Sequence, residues 1–257
     1  IRQNSSPKII AITGSCGKTS LKEMLKKTLS KFGTTSSSPK SFNNKYGVPL
    51  SLFNLNPMHD FGVFEVGMDK KGEINYLSKI IKPDVGVITN ISYAHAKNFK
   101  NIKQIAMAKA EMINNIVTNG IIVLNADDLF FNLHKKIALK KKLKVLTFSI
   151  NKKSNVRLKY IKKEKNKFKI SIIINKKNKF FYISTNYKSF IYNLLATITI
   201  ISIFKDPTRL NKNTFQNMNC PTGRGDILKL RLYNKNINLV DESYNSNPLS
   251  LKSAVEN

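Results

Sequence analysis

The chain has 257 residues, with 44 Lys+Arg against 15 Asp+Glu, a formal net charge of +29 and 41% hydrophobic residues. That hydrophobic share supports a core and excludes wholesale disorder, two cysteines (Cys16 and Cys220) exclude a disulfide framework and favour a reducing, cytoplasmic setting, and no apolar run reaches the ~18–20 residues of a membrane span. Only five of the basic residues are Arg, the side chain suited to bidentate phosphate and guanine contacts, so the charge reads as a solvated lysine surface and no specific nucleic-acid partner is expected.

Residues 8–13 (KIIAIT) are a short run rich in β-branched side chains and predict a buried strand. A Gly-containing turn leads into a helix over 19–32, where Leu21, Met24, Leu25 and Leu29 fall at helical spacing and Gly33 can cap the end. Residues 62–66 predict a second buried strand, 71–81 a helix, and 85–89 a third strand after Pro83. A helix over 102–116 is followed by Gly120 and by strands over 121–124 and 143–148. Strands alternating with helices in this way predict an α/β fold, a mostly parallel sheet flanked by helices on both faces.

Beyond Asn151 the texture changes. Val156, Leu158 and Tyr160, then Phe168, Ile170, Ile172 and Ile174, then Phe181 and Ile183, alternate with polar residues, many of them lysine. That predicts a smaller antiparallel β subregion over 151–187. Residues 187–204 predict a helix buried on most sides, 207–219 a connector, and 227–232 and 237–240 two further strands.

The strongest local motif is TGSCGKTS, residues 13–20, set between a predicted strand and a predicted helix. That context marks a phosphate loop: glycines let backbone N–H groups approach phosphate oxygens, and the helix N-terminus adds positive potential. Lys18 can supply a charge to the β/γ-phosphates and the Thr19 hydroxyl can hold Mg²⁺. Ile12 stands where the general pattern has its first Gly, so this is a variant loop. Cys16, inside it, is expected to be alkylated less readily when nucleotide is bound.

Candidate metal ligands lie near strand ends. Glu65 is a carboxylate among Val63, Phe64 and Val66, a costly placement unless it meets a cation. His95 follows the third strand by six residues. Both belong to the C-terminal edge of a parallel sheet, where ligands bind.

The order of these segments resembles the Mur ligases, the ATP-dependent amide ligases of peptidoglycan precursor synthesis. The resemblance rests on the phosphate loop, NNKYGVPL (43–50), Glu65, NISYAH (90–95), AKAE (108–111), NADD (125–128), Gly223-Arg224, and DESYNSNP (241–248). Within that family the last motif is most similar to the members that add D-alanyl-D-alanine to UDP-N-acetylmuramoyl-tripeptide through an acyl phosphate. Other Mur-type amide ligases (tripeptide-forming, folylpolyglutamate or cyanophycin type) and a polyanion-binding phosphate-loop ATPase are the alternatives.

The resemblance implies ATP and two Mg²⁺ ions. It places Gly14, Ser15, Cys16, Gly17, Lys18, Thr19 and Ser20 around the phosphates, and Thr19, Glu65 and His95 on Mg²⁺. Lys109, if carbamylated, would hold a second ion; Asn193, Arg224 and Asp241 would contact the nucleotide. Asn43 and Asn44 would line the approach of the muramoyl peptide. Lys18, Lys109, His95 and Arg224 form the implied catalytic set. Tyr187 and Ser189 stand where the family usually has Gly and His ahead of Asn193. The family pattern further implies a central ATPase domain over 1–240, a hinge and the start of a C-terminal domain over 241–257, and an N-terminal UDP-sugar domain outside this chain. The expected protein is cytoplasmic and monomeric, and this stretch alone is expected to be inactive.

Overall fold

Strand β1 (Lys8–Thr13) is the centre of the structure, a computed structural model that describes residues 7–93, 98–218, 223, 226–233, 235–241 and 243–244. Its side chains alternate between two cores. Ile10 and Ile12 enter one and Ile9 and Ala11 the other, and all four are fully buried. A strand apolar on both faces must be covered on both faces, as in a parallel sheet.

The neighbouring strands are β2 (Thr35–Ser37), β3 (Phe61–Glu65), β4 (Val85–Ile88), β5 (Ile121–Asn125) and β6 (Lys144–Ser149). They run parallel in the order β2-β3-β1-β4-β5-β6. The chain goes from β1 to one side and then returns past β1 to β4, so the C-terminal end of β1 is where the direction of winding reverses. Crevices outside strand C-termini at such a point receive ligands.

Helix α1 (Lys18–Leu29) packs on the first core with Leu21, Leu25 and Leu29 fully buried, each stabilising by roughly 1.5–3 kcal/mol relative to exposure. The second core is covered by α2 (Gly47–Phe53), α3 (Glu73–Ile81), α4 (Ile102–Ala110) and α5 (Phe131–Lys140). The expected single helix over 102–116 is instead α4 followed by a 3-10 stretch, Glu111–Asn115. The tighter winding accompanies Glu111 accepting from the Gly72 and Asn75 N–H groups at the start of α3, where a carboxylate is favoured by the helix dipole.

The meander is present as β7 (Val156–Glu164), β8 (Lys167–Ile174) and β9 (Lys177–Ile183). It is not a separate layer: β7 pairs parallel with β6, so all nine strands form one sheet. Val156, Ile170, Ile172, Phe181 and Ile183 join the first core under α6 (Lys188–Phe204), whose run from Leu194 to Ile201 is buried throughout. A two-stranded hairpin, β10 (Asp226–Leu232) and β11 (Lys235–Asp241), stands apart from that sheet. Among the described residues no helix is long and apolar enough to cross a membrane.

Candidate active site

The chain leaves β1 at Thr13 and must turn sharply into α1. Gly14 makes the turn with φ +147°, pressed so close to the end of β4 that a Cβ there would stand 1.9 Å from Thr89 Oγ1. Gly17, with φ +81°, is the N-cap of α1 and makes no side-chain cap bond, so the first N–H groups of the helix keep their capacity for an anion. Helical bonding begins with Leu21 N donating to Gly17 O at 2.9 Å.

The loop is held from the β4 side. Thr89 Oγ1 donates to Cys16 O at 2.7 Å, Asn90 Oδ1 accepts from Cys16 N at 3.0 Å, and Ser15 N donates to Asn90 O at 2.9 Å. Ser15 Oγ donates to Ser92 O and accepts from Ser92 N. On its far side this strand-end segment is anchored by Asp128, which accepts from Ile91 N and Phe130 N. Burial raises the Asp128 carboxyl above its ordinary range against the pull of those two bonds. Asp127 accepts from the N–H groups of Ile150, Asn151 and Lys152 and from the Tyr192 hydroxyl, whose ionisation is pushed upward chiefly by burial and then by Asp127. Thr89, Asn90 and Ser92 were not among the expected site residues. Their signal was partly positional, Thr89 ending a predicted strand at the ligand edge of the sheet, and partly the 90–95 motif that holds Asn90 and Ser92.

Two lysines converge on one carbonyl. Lys18 Nζ and Lys109 Nζ each donate to Gly14 O at 3.0 Å. Lys109 comes from α4 and is 1% exposed. Burial first, and the neighbouring Lys18 second, push its ammonium well below the usual lysine range, with Cys16 opposing.

Glu65 ends β3, 1% exposed, beside the first turn of α1. Thr19 Oγ1 donates to Glu65 Oε2 at 2.8 Å and Asn43 Nδ2 donates to Glu65 Oε1 at 2.8 Å, with Ser41 Oγ 3.4 Å from Thr19 Oγ1. A buried carboxylate with the Thr19 and Ser41 hydroxyls beside it offers hard oxygen donors, which fit Mg²⁺. Asn193 also lies at the loop: a Cβ on Gly17 would stand 3.1 Å from its Oδ1, and the residue is 7% exposed.

Other expected residues stand differently. Ser20 is half-buried on α1. Asn44 is exposed, and its Oδ1 accepts from Tyr46 N and Gly47 N, so that oxygen is occupied in starting α2. Asp241 ends β11 and accepts from Ser243 N at 2.9 Å; the Ser243 hydroxyl first and its N–H second lower the Asp241 carboxyl. His95 and Arg224 lie outside the described residues, as does most of the 241–248 motif.

The comparisons with known proteins agree with this geometry. Residues 12–201 match the family model described as the Mur ligase middle domain. A UDP-N-acetylmuramoyl-tripeptide–D-alanyl-D-alanine ligase of Buchnera aphidicola subsp. Baizongia pistaciae is 34% identical over 260 residues, covering 100% of this chain and 55% of that protein. A crystal structure of MurF from Acinetobacter baumannii is 27% identical with a TM-score of 0.88, covering 99% of this chain and 55% of the other. A MurF ligase structure from Thermotoga maritima in complex with ADP shares the fold, with a TM-score of 0.86 at 24% identity, over 99% of this chain and 57% of the other. The chain thus spans about half the length of the curated relatives it matches.

Proposed function

The chain belongs to the Mur ligase family, whose middle domain it carries, and from that membership we propose that it is the ATP-binding part of a ligase joining D-alanyl-D-alanine to UDP-N-acetylmuramoyl-tripeptide in cytoplasmic peptidoglycan precursor synthesis. One observation carries the reading: at the C-terminal edge of β1 and its neighbours a buried carboxylate, Glu65, and a buried lysine, Lys109, are each hydrogen-bonded to the phosphate loop. A loop that only binds Mg²⁺-nucleotide uses the first of these and has no need of the second.

In this reading residues 14–20 wrap the ATP phosphates. The tripeptide carboxylate attacks the γ-phosphorus, the bond to the ADP oxygen breaks, and an acyl phosphate forms. The amine of D-Ala-D-Ala then attacks the acyl carbon, loses a proton, and inorganic phosphate leaves. Mg²⁺, when bound, supplies charge neutralisation to the phosphates, and Thr19 and Glu65, with His95, are the residues that would hold it. Lys18 neutralises charge on the transferring oxygens, where positioning and electrostatics supply most of the rate. Lys109 in its neutral form can add to CO₂ through its amine, losing a proton to become an anionic carbamate suited to a second Mg²⁺. Asn193, against Gly17, faces the nucleotide, as would Arg224 and Asp241; Asn43 turns its amide to Glu65 at the edge the peptide approaches. Residues 1–240 are the central unit and 241–257 lead into a following one.

The test is phosphate release by the full-length protein with UDP-N-acetylmuramoyl-tripeptide and ATP, with and without D-Ala-D-Ala. Release and amide formation that both require the dipeptide are expected. Equal turnover with another amino acid or with none would refute the assignment.

A further inference from the structure

Lys22 is, with Lys109, one of two fully buried lysines among the described residues, and no step of the proposed reaction uses it. Its ammonium has three donors and three partners. It donates to Ser38 O at 2.8 Å and to Lys40 O, and it lies 3.1 Å from the Glu23 carboxylate, itself 37% exposed. The two carbonyls belong to the turn that follows β2, where Lys40 takes φ +43°, a left-handed conformation unfavourable for a lysine. The near side of that turn is fixed by the sheet: Ser38 N donates to Val63 O and Ser38 Oγ accepts from Glu65 N. The far side reaches the site. Ser41 approaches Thr19, Asn43 donates to Glu65, and Gly67 N donates to Asn43 O at 2.8 Å.

On α1, Lys22 stands four residues beyond Lys18 and three beyond Thr19, one helical turn along the same face. One rigid helix therefore holds the phosphate loop with its first turn and residues 38–44 with its second. An apolar side chain would fill the space without desolvating an ammonium, so what the charge adds at this position is directional grip on two carbonyls. We propose that Lys22 is a positioning residue: it fixes residues 38–44, and with them Ser41 and Asn43, relative to Thr19 and Glu65, and so sets where the acceptor carboxylate meets the phosphates. This rests on the ligase reading above.

Lys22→Met and Lys22→Arg are compared with the unaltered full-length protein for ADP affinity, for kcat and for KM of the muramoyl tripeptide, with hydrogen exchange followed over 38–44. The Met variant is expected to raise KM for the peptide about tenfold or more with ADP affinity within about twofold, and Arg, which can still donate to both carbonyls, to restore part of the loss. Amides of residues 41 and 67 are expected to exchange faster while those of α1 keep their protection. An unchanged peptide KM, or parallel loss of ADP and peptide binding, would overturn the proposal. If the unaltered protein forms no amide, the ligase reading fails on its own, and unchanged exchange at 41 and 67 in the Met variant would still overturn the role of Lys22. Should the Met variant not fold, Lys22→Gln, which keeps one donor, is read in the same way.

Discussion

Two glycines with positive φ separate two physical effects, and comparing them tests the packing of the phosphate loop. Gly72, with φ +91°, has nothing within 4 Å of where a Cβ would stand, whereas Gly14, with φ +147°, would place a Cβ 1.9 Å from Thr89 Oγ1, 3.0 Å from Thr89 Cβ and 3.1 Å from Thr89 N. Gly72→Ala should therefore show the backbone term alone, about 1–2 kcal/mol. Gly14→Ala carries a similar term and forces the Thr89 side chain away, so that Cys16 O keeps only its 3.2 Å bond from Asn90 Nδ2; the overpacking and the lost 2.7 Å bond together add ~1–3 kcal/mol. The backbone atoms of Thr89 cannot retreat easily, because Thr89 N donates to Thr13 O across the β1–β4 pair. The expected loss is about 3 kcal/mol or more for Gly14→Ala, equivalent to a fall of roughly 6–12 °C in Tm for a chain of this size, against about 2–8 °C for Gly72→Ala. Calorimetry on both variants, with ADP affinity measured alongside, checks this. Thr89→Ala removes the nearest clashing atom, so Gly14→Ala combined with Thr89→Ala should be less destabilised than the sum of the two by about 1 kcal/mol. Equal melting temperatures for Gly14→Ala and Gly72→Ala, or strict additivity with Thr89→Ala, would refute the argument.

Glu65→Gln keeps an oxygen for the Thr19 hydroxyl but removes the charge, so amide formation should fall by about 10²-fold and the Mg²⁺ concentration for half-maximal ATP binding should rise; an unchanged Mg²⁺ titration would refute a metal role. Lys109→Ala should abolish ligation, and bicarbonate depletion should slow only the unaltered enzyme; full activity of the variant in bicarbonate-free buffer would end the carbamate reading. His134 is buried, and its ring nitrogen pairs with Ala106 O, so burial holds its folded pKa below the unfolded value of about 6.5. The unfolded state therefore takes up the proton first as pH falls, and stability is lost from about pH 6.5 down through the lower folded value. Urea midpoints at pH 7.5 and 5.5 should fall more for the unaltered protein than for His134→Gln, and parallel pH slopes would contradict this. Cys16, half-buried in the phosphate loop, should react with iodoacetamide more slowly when ADP and Mg²⁺ are present; equal rates with and without nucleotide would count against nucleotide at the loop.

The parallel sheet was legible because its strands are buried on both faces and so read as continuous β-branched runs; β1 begins and ends where the pattern places it. Three elements were not read. β2 has three residues, all Thr or Ser, held in place by pairing with β3, a contact that leaves no mark in the local sequence. α2 carries Pro49, which looks like a breaker but sits in the first turn where a missing N–H goes unnoticed. α5 buries only His134 and Ala138 and leaves Phe131, Leu133 and Ile137 part-buried against the second core, so its apolar stripe is short and has a histidine at its centre. In the site, Lys18, Thr19, Glu65 and Lys109 could be named because a motif or a buried charge marked them. The 90–95 motif marks Asn90 and Ser92, but with Thr89 they hold the loop because β4 lies beside β1, and pairing of strands more than seventy residues apart is a property of topology that no window of sequence displays.

Lysine shows most plainly what the fold adds. Eighteen of the lysines crowd residues 135–188 and most others are solvated, so residue type alone makes each look as unremarkable as the next. Burial discriminates among them. Desolvating an ammonium is unfavourable by several kcal/mol unless its donors are satisfied, so a buried lysine must hold something in place or surrender its proton. Lys22 follows the first course, with three acceptors around one nitrogen. Lys109 has one carbonyl, shared with Lys18, and burial lowers its ammonium well below the usual lysine range. The same side chain thus grips two carbonyls on one side of α1 and shares a single one beside Gly14, and the number of acceptors within reach of each nitrogen separates the two.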